Sequence, residues 1–407
     1  MIMKYRFLQP DPPQNPRGLK SFSTVVIMNK VNIAIVGGGI TALSTAYYLA
    51  KNGAEDIHIF EAKYLGYGST GRCAGGIRAS FTSEVHVALM RESINEWRKW
   101  SKDIEGISFR QDGYLWILTD EEQVRIHKEL MKLHNSLGVN TRMVYEEELK
   151  EIVPAMQLND VIGALYDPTA GKASPLHAVG ALRRKLRSLG VKIHEYTPVN
   201  KIHVGGGRAK SLDVEGVGTV EVGDALLVAA GYETKHLLKN VGYDLPIKGD
   251  PHHLMITEKV ESFLKPLVIH KASGSYIVQV ASGGLIVGTE YPVPENDMSL
   301  RIGFIRKGFS IISKYFPQVL KANLLRVWIG YYLKTPDHHP LIGLLPNYDN
   351  LLIATGYSGH GYMMAPIVGK ELASMIMVGR PTLKYTEELH PGRYEEGKYL
   401  EEKAIFG

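Results

Sequence analysis

The sequence predicts a mixed α/β protein in which two domains are interleaved, one on a parallel sheet and one on an antiparallel sheet. Two strand–glycine–helix units, at residues 31–61 and 351–378, favour the parallel sheet. Short strand patterns separated by glycine turns, at residues 251–286, favour the antiparallel layer. A chain of 407 residues is also too long for one simple core, so two domains are expected.

The first unit begins with an apolar run at residues 32–36, which is typical of a buried parallel strand. The run leads into Gly-Gly-Gly-Ile-Thr-Ala and then into a helical pattern. Gly37 permits a tight turn, Gly39 lets the backbone approach a pyrophosphate, and Ala42 lets the helix pack on the strand. The helix N-terminus, at Ile40 and Thr41, offers N–H groups and a positive dipole to phosphates. These features predict a Rossmann-like dinucleotide site.

The second strand of this unit, at residues 57–60, ends on Glu61, which Ala62 follows. A carboxylate about 20 residues past such glycines accepts the two hydroxyls of an adenosine ribose. The same carboxylate would repel a 2′-phosphate, which argues against NADP. This segment by itself does not decide between NAD and FAD.

Composition excludes several classes of protein. Hydrophobic residues make up 44% and charged residues 22%, an ordinary globular balance, and a net charge of +5 scattered along the chain gives no nucleic-acid-binding patch. One cysteine, Cys73, excludes an internal disulfide and favours a reducing cytoplasm. No apolar run reaches the roughly 18 residues of a transmembrane segment. Residues 1–30 are predicted to be a disordered extension, with Met28 as an alternative start.

Metal binding is not expected. The pairs at residues 252–253 and 338–339 are neighbouring histidines, which point to opposite faces of a strand, and neither C-x-x-C nor H-E-x-x-H occurs.

Two further glycine-rich stretches point to a ligand. The loop GSTGRCAGGIR, at residues 68–78, carries Ser69 and Thr70 as donors to phosphate or flavin groups. The strand at residues 225–229 ends in small residues, which suits a crevice at the carboxyl end of a parallel strand. The second unit places a helix N-terminus after residues 355–361, where it can face a flavin edge that becomes negative on reduction.

With both units in place, the chain resembles the D-amino-acid oxidase/sarcosine oxidase family of FAD-dependent oxidoreductases. The resemblance covers residues 32–380 and rests on GGGITA with Glu61, GSTGRCAGGIR, LLVAAGYET, KTPDHHPLIG and ATGYSGHGYMMAP. The last two blocks, with RCAGGIR, are most similar to the β subunit of archaeal dye-linked L-proline dehydrogenases.

The resemblance implies an FAD site made of four groups of residues. They are Gly37, Gly39, Ile40, Thr41, Ala42, Glu61 and Ala62 at the ADP half; Ser69, Thr70, Cys73, Ala74, Gly76 and Ile77 on the flavin side; Val199 by the adenine with Ala230 and Gly231 by the pyrophosphate; and Gly330, Gly359, His360, Gly361, Tyr362 and Met363 near the isoalloxazine.

The catalytic candidates are Arg78, Tyr332, Tyr276 and His252. Arg78 matches an arginine that contacts the substrate carboxylate in sarcosine oxidases, and Tyr332 matches an active-site tyrosine. Tyr276 is a candidate for the pocket wall or for holding the amine, and His252 for a hydrogen bond to flavin or substrate. Each also has an ordinary structural reading, as a salt-bridge arginine, a half-buried strand tyrosine or a histidine that satisfies backbone groups.

Three departures from the family pattern carry further expectations. Gly330 stands where the monomeric enzymes have a flavin-linking cysteine, so the FAD is expected to be non-covalent. Met363 stands where those oxidases have a lysine as the second residue that binds the substrate carboxylate. Ile286 replaces the lysine that promotes reaction with oxygen, and an apolar side chain cannot stabilise superoxide. An electron acceptor other than oxygen is therefore expected.

The implied reaction is hydride transfer from the carbon beside a secondary amine, with L-proline as the first choice of substrate. Sarcosine or a D-amino acid, with an oxidase activity, is the main alternative. An NAD-dependent dehydrogenase and a flavin-bearing subunit that needs a partner chain also stay open, as does a homo-oligomer.

The predicted domain bounds follow these motifs. The FAD-binding domain takes residues 31–90, 155–245 and 325–385, and the substrate-binding domain takes residues 91–154 and 246–324. Residues 386–407 form a C-terminal tail.

Overall fold

The computed structural model describes residues 28–400 and residue 402. Residues 1–27 of the predicted extension therefore lie outside the described residues. Lys30, the last residue of that prediction, belongs to the first strand. Within the described residues, none of the helices is both long and apolar enough to cross a bilayer.

The first half of the described chain alternates strands and helices. In order, these are β1 (Lys30–Val36), α1 (Ile40–Lys51), β2 (Ile57–Phe60), β3 (Gly76–Ile77), α2 (Glu84–Asp103), β4 (Tyr114–Leu118), α3 (Glu121–Ser136), β5 (Arg142–Val144), α4 (Glu146–Ile152), β6 (Gly163–Asp167), β7 (Gly171–Lys172), α5 (Pro175–Ser188) and β8 (Lys192–His194).

The second half is richer in strands. It contains β9 (Val199–Gly205), β10 (Arg208–Val214), β11 (Gly218–Val228), α6 (Glu233–Lys239), β12 (Lys248–Lys259), β13 (Leu267–His270), β14 (Ser275–Gln279), β15 (Gly284–Gly288), α7 (Ile302–Tyr315), β16 (Leu324–Lys334), β17 (Leu341–Leu344), β18 (Leu351–Thr355), α8 (Gly361–Val378) and α9 (Lys384–Glu387).

The first sheet has the order β17-β18-β11-β1-β2-β8, with the hairpin β9–β10 attached to β11. Its strands are parallel except for β17 and the hairpin. Residues 40–49 of α1 are all buried, because α1 lies between this sheet and α8. The two helices approach closely at Gly369, where a Cβ atom would stand 2.2 Å from the hydroxyl of Ser44.

The second sheet has the order β16-β12-β15-β14-β13-β4-β6-β5 and is antiparallel except for the pair β13–β4. One face packs against α7 and α4 through apolar side chains that include Val268, Ile277 and Phe304. The opposite face carries Tyr114, Tyr276 and Ile286. The predicted fold class, a Rossmann-like domain combined with an antiparallel-sheet domain, is confirmed.

The predicted domain bounds assign two strands to the FAD-binding domain that in the structure belong to the antiparallel sheet. β6 falls within residues 155–245 and β16 largely within residues 325–385, and both belong to the antiparallel sheet. β6 pairs with β4, and β16 pairs along its whole length with β12. Local pattern does not show which distant strand a segment pairs with, because strand preference depends on cross-strand packing.

Candidate active site

A single cavity of about 810 Å³ joins the two sheets. Its lining includes the end of β1, the glycine turn and the first residues of α1 on one side. On the other side it includes residues of β12, β14 and β16. A ligand in this cavity can therefore contact the parallel sheet at one end and the antiparallel sheet at the other.

The glycine turn fits closely between the ends of three strands. Gly37 has a φ of 109°, and a Cβ atom there would stand 2.4 Å from the carbonyl oxygen of Ala229, at the end of β11. Its N–H donates to the carbonyl of Phe60 at 2.8 Å, which ties the turn to β2. Only glycine meets both conditions, and this packing directs the N-terminus of α1 toward the cavity.

Glu61 lies at the edge of this turn. Its Oε2 accepts from the N–H of Gly38 at 2.6 Å, and its Oε1 accepts from the N–H of Lys63 at 2.7 Å. A carboxylate has about four acceptor positions, so two stay available on the cavity side for ribose hydroxyls. The glycine cradle, the helix N-terminus and this acceptor together fit the ADP half of a dinucleotide.

The loop that follows β2 is held between the two domains. The hydroxyl of Thr70 accepts from the N–H of Ile40 at 3.1 Å, and Ser69 donates to the carbonyl of Tyr331 at 3.0 Å. Trp328 donates to the carbonyl of Arg72 at 2.8 Å. Burial raises the pKa of the Cys73 thiol to about 12, so the thiol stays protonated and is a poor nucleophile.

A second helix N-terminus, that of α8, opens onto the cavity. Gly361, Tyr362 and Met363 line it, and His360 precedes them as the fully buried N-cap residue. Gly359 has a φ of 93°, and a Cβ atom there would stand 2.6 Å from the ring of Tyr332. The positive end of the α8 dipole therefore faces the part of the cavity that also holds Tyr332.

Three tyrosines pack against glycines around the substrate end of the cavity. The ring of Tyr332 packs on Gly359. The ring of Tyr276 packs on Gly288, where a Cβ atom would stand 2.4 Å from it. The hydroxyl of Tyr114 lies where a side chain at Gly76 would begin. Burial raises the pKa of all three phenols, that of Tyr332 to about 12. Each phenol therefore stays a neutral hydrogen-bond donor at physiological pH.

His252 lies beside this group. Its ring stacks on that of Tyr332, with centroids 3.8 Å apart and an interplanar angle of 18°. Its Nε2 lies 2.9 Å from Oδ2 of Asp250, which also forms an ion pair with Lys334.

Arg78 is fully buried and is not among the residues that line the cavity. Its guanidinium lies 3.8 Å from the ring centroid of Phe81 and 5.0 Å from that of Trp116, and Nη1 donates to the carbonyl of Ser80. Burial lowers its pKa to about 10, so it stays charged at neutral pH. It interacts electrostatically with Tyr114 and with Tyr332, which lies on the cavity lining.

The cavity brings together most of the residues that the sequence singled out. Those on its lining are Gly37, Gly39, Ile40, Thr41, Glu61, Ala62, Ser69, Thr70, Cys73, Ala74, Gly76, Val199, Ala230, Gly231, His252, Tyr276, Gly330, Tyr332, Gly359, Gly361, Tyr362 and Met363. Ala42, Ile77, Arg78 and His360 are buried and lie outside the lining.

Sequence reasoning missed other lining residues. They include Pro198, Asn200, Tyr232, His236, Asn240, Thr289, Glu290 and Tyr357. Pro198, Asn200 and Tyr232 adjoin predicted residues in the chain, so adjacency was an available signal. Tyr357 lies within the ATGYSGHGYMMAP block, so that motif was also an available signal. His236 and Asn240, at α6, and Thr289 and Glu290, just after β15, reach the cavity through long-range packing that no local motif predicts.

A buried group of His86, His339 and Glu402 also escaped the sequence reasoning, which expected no metal ligands. Its ligand atoms lie within 4.8 Å of one another. The two imidazoles stack with centroids 4.2 Å apart and planes at 14°, and Nδ1 of His86 lies 3.0 Å from Glu402. Lone pairs lie in the ring planes, so two rings stacked face to face have their lone pairs in separate, nearly parallel planes and cannot both point at one ion. This geometry favours a hydrogen-bonded network that holds the start of α2.

Comparisons with known proteins bear on this site. Residues 32–375 match the family model described as FAD dependent oxidoreductase (DAO). The β subunit of sarcosine oxidase from Rhodobacter capsulatus is 25% identical over 396 residues, which cover 95% of this chain and 94% of the relative. The corresponding subunit from Arthrobacter sp. is 28% identical over 382 residues, which cover 91% of each chain.

Solved structures give the same result. L-proline dehydrogenase from P. horikoshii superposes with a TM-score of 0.87 at 35% identity, covering 91% of this chain and 100% of that one. Glycine oxidase from Geobacillus kaustophilus, at 23% identity and a TM-score of 0.79, shares the fold. The chain thus belongs to the DAO family of FAD-dependent oxidoreductases.

Proposed function

We propose that this enzyme oxidises the CH–NH bond of a secondary-amine amino acid, with L-proline as the best candidate. The observation that carries the proposal is the single cavity that joins the glycine turn and Glu61 to His252, Tyr276 and Tyr332. The choice of L-proline is supported by the 35% identity to the P. horikoshii L-proline dehydrogenase over its full length. Sarcosine and D-amino acids are the alternatives, because the sarcosine oxidase β subunits also match most of the chain.

FAD, when bound, accepts a hydride at its N5 position. The chain has three tasks around that transfer. The turn at Gly37 and the N-terminus of α1 hold the phosphates, and Glu61 accepts the ribose hydroxyls. The neutral phenol of Tyr332 orients the substrate by donating a hydrogen bond, and Tyr276 supports it by donating to Tyr332. The apolar side chains beside them exclude water.

We also propose that the cofactor is not covalently linked. Gly330 lies on the cavity wall and has no side chain to form a bond, and the one cysteine is a half-buried, protonated thiol. Acid precipitation is expected to release all the flavin into the supernatant. Flavin retained in the protein pellet would contradict this.

The proposed electron acceptor is not oxygen. Ile286 is 6% exposed and packs in the apolar cluster of Tyr276 and Leu254, so it provides no cation at the position where oxidases of this family carry a lysine. We infer that an artificial dye, or a redox partner of the protein, takes the electrons. Close matches to the β subunits of sarcosine oxidases support a partner subunit, which native mass spectrometry of the complex from its own cells would reveal.

The test of the proposed function is an anaerobic titration of the purified protein with L-proline. Bleaching of the flavin absorbance near ~450 nm, a property of the cofactor, followed by turnover with dye and little peroxide under air, is the expected result. A yellow protein that L-proline leaves oxidised and sarcosine or a D-amino acid reduces would contradict the choice of substrate. A colourless protein that takes up no FAD would contradict the proposal as a whole.

Arg78 is proposed to supply the positive charge that attracts the substrate carboxylate. Arg78→Gln is expected to raise KM for the amino acid about 10-fold, because it removes a positive charge that lies behind the cavity wall and attracts the carboxylate at a distance. Because Arg78 is buried against Phe81 and Trp116, the melting temperature of the variant must be measured together with its kinetics. A folded variant with an unchanged KM would remove Arg78 from substrate binding.

A further inference from the structure

Asp250 and His252 lie two residues apart on β12 and therefore share one face of the sheet. Strand pairing places Asp250 opposite Tyr332 and His252 opposite Gly330 on β16. The side chain of Arg72 packs over Gly330, and the imidazole of His252 lies flat against the ring of Tyr332. The imidazole is thus held on one side by stacking and at one nitrogen by Asp250.

The contacts of Asp250 determine which nitrogen of His252 carries the proton. Burial tends to raise the pKa of Asp250, but hydrogen bonds from His252 and Lys334 outweigh it and lower the pKa to about 2. An ionised carboxylate only accepts hydrogen bonds, so Nε2, 2.9 Å away, must carry the proton. The lone pair is then on Nδ1, to which no described residue donates a hydrogen bond.

His252 is also the best-placed base among the described residues of this wall. Asp250, on the same strand, and Tyr332 contact His252, and Lys334 pairs with Asp250. Tyr276, Arg72 and Glu290 are charged or titratable groups on the lining of the same cavity. The tyrosines are protonated, and Glu290 is exposed. The adjacent His253 uses its Nε2 to accept from the N–H of Arg301 and stacks on Phe304, toward α7.

We propose that Asp250, anchored by Lys334, is a positioning residue that fixes His252 with its Nδ1 lone pair ready to accept the amine proton of the substrate. This inference rests on the proposed function. An amino acid arrives as an ammonium ion, which has no lone pair to assist departure of a hydride from the neighbouring carbon. An N–H bond of the ammonium breaks, the proton bonds to Nδ1, and the electron pair stays on the substrate nitrogen. The carbon beside the neutral nitrogen could then release its hydride to the flavin that the glycine turn and the start of α8 would hold.

The test is Asp250→Asn in the full-length, FAD-loaded protein, followed by anaerobic rapid mixing with substrate. The rate of flavin reduction at saturating substrate is expected to fall about 10–100-fold, the usual effect of losing a partner that orients a functional histidine. An amide can also donate to Nε2, which would leave the proton on Nδ1, the wrong nitrogen. The substrate concentration at half-saturation should change little, and Asp250→Glu should recover part of the rate.

The pH profile separates positioning from a general loss of structure. The rate of flavin reduction is expected to fall at low pH, where His252 becomes protonated and can no longer act as a base. Removing the carboxylate disfavours the imidazolium form, so this fall, the acidic limb of the profile, should move to lower pH in Asp250→Asn. Glu295→Gln is the matched control, because Glu295 forms an exposed ion pair with Lys248 at 3.7 Å, near the same end of β12. Glu295→Gln should leave both the rate of flavin reduction and the acidic limb of its pH profile unchanged.

A second readout does not depend on turnover. In protein labelled with ¹⁵N-histidine, the signals of His252, assigned with His252→Gln, should report a proton on Nε2 and its loss from that nitrogen in Asp250→Asn. An unchanged tautomer and an unchanged acidic limb in Asp250→Asn would overturn the proposal. If L-proline fails as a substrate, the proposed function fails, and the nitrogen signals still decide the role of Asp250.

Discussion

Gly37→Ala is expected to yield a protein without bound flavin. An alanine there would have to adopt a φ of 109°, which costs about 1–2 kcal/mol for an L residue. Its Cβ would also stand 2.4 Å from the backbone oxygen of Ala229, which cannot move without shifting β11. The backbone strain and the clash with Ala229 together should lower the free energy of unfolding of the apoprotein by about 2–4 kcal/mol.

The same substitution should also weaken FAD binding. A displacement of the turn by an ångström moves the N-terminus of α1 away from the pyrophosphate, and such misplacements cost about 100-fold. Urea denaturation of the apoprotein and fluorescence titration with FAD measure the two effects separately, since bound ligand would itself add stability.

Gly53→Ala is the matched control for this prediction. Gly53 has a φ of 90° but no atom within 4 Å of a Cβ position. Its substitution should therefore cost only the conformational strain, about 1 kcal/mol, and leave FAD affinity unchanged. Equal effects of the two substitutions would show that the close contact with Ala229 has no role.

Arg393→Met is expected to destabilise the protein by about 3–5 kcal/mol, the usual result of breaking a buried ion pair. Arg393 is fully buried and donates to both carboxylate oxygens of Asp337 at 3.0 and 3.1 Å. It also donates to the carbonyls of Pro340, His339 and Leu389. Loss of the guanidinium would leave an ionised carboxylate and three carbonyls without these donors.

The measurement is urea denaturation with a double-mutant cycle. Arg393→Met combined with Asp337→Asn should cost less than the sum of the two single substitutions, because the double variant leaves no buried charge. Arg125→Met is the control, since Arg125 pairs with Glu122 on an exposed face, where solvent screening leaves such a pair little effect on stability. A cost for Arg393→Met as small as that of the control would contradict the role of this ion pair.

The same ion pair gives stability a pH dependence with a definite sign. Burial tends to raise the pKa of Asp337, but the bonds from Arg393 and Tyr394 outweigh it and hold the pKa well below its ordinary value of about 4. A depressed carboxyl pKa stabilises the fold above that ordinary value, and this contribution is lost as pH falls toward the folded pKa. The difference in stability between wild type and Arg393→Met should therefore shrink below about pH 4.

The position of Arg393 also shows what the segment called the C-terminal tail does. Leu389 and Arg393 are buried, and they hold the block from Thr335 to Gly343 against the first sheet. Nothing in the local sequence of residues 386–400 distinguishes a buried arginine from a solvated one. Its partner is more than fifty residues away in the chain, so only the folded structure could reveal the pair.

The sequence by itself determined the dinucleotide end of the site. The roles proposed for Gly37, Gly39 and Glu61 depend on backbone conformation and on a fixed spacing within one strand–turn–helix–strand unit, and contiguous residues are enough to predict such local chemistry. The second glycine unit, at Gly359 and Gly361, was predicted for the same reason. The fold class followed from these units together with the short strands of the second sheet.

Only the tertiary structure decided the substrate end. Tyr114 and Tyr332 lie beside Gly76 and Gly359 because distant segments pack there, and Arg78 is buried behind aromatic rings and is absent from the cavity lining. The pairing of β12 with β16 brings Lys334 to Asp250 and fixes His252. Strand register and long-range packing set these contacts, and neither is encoded in a local motif, since each depends on which segments meet when the chain folds.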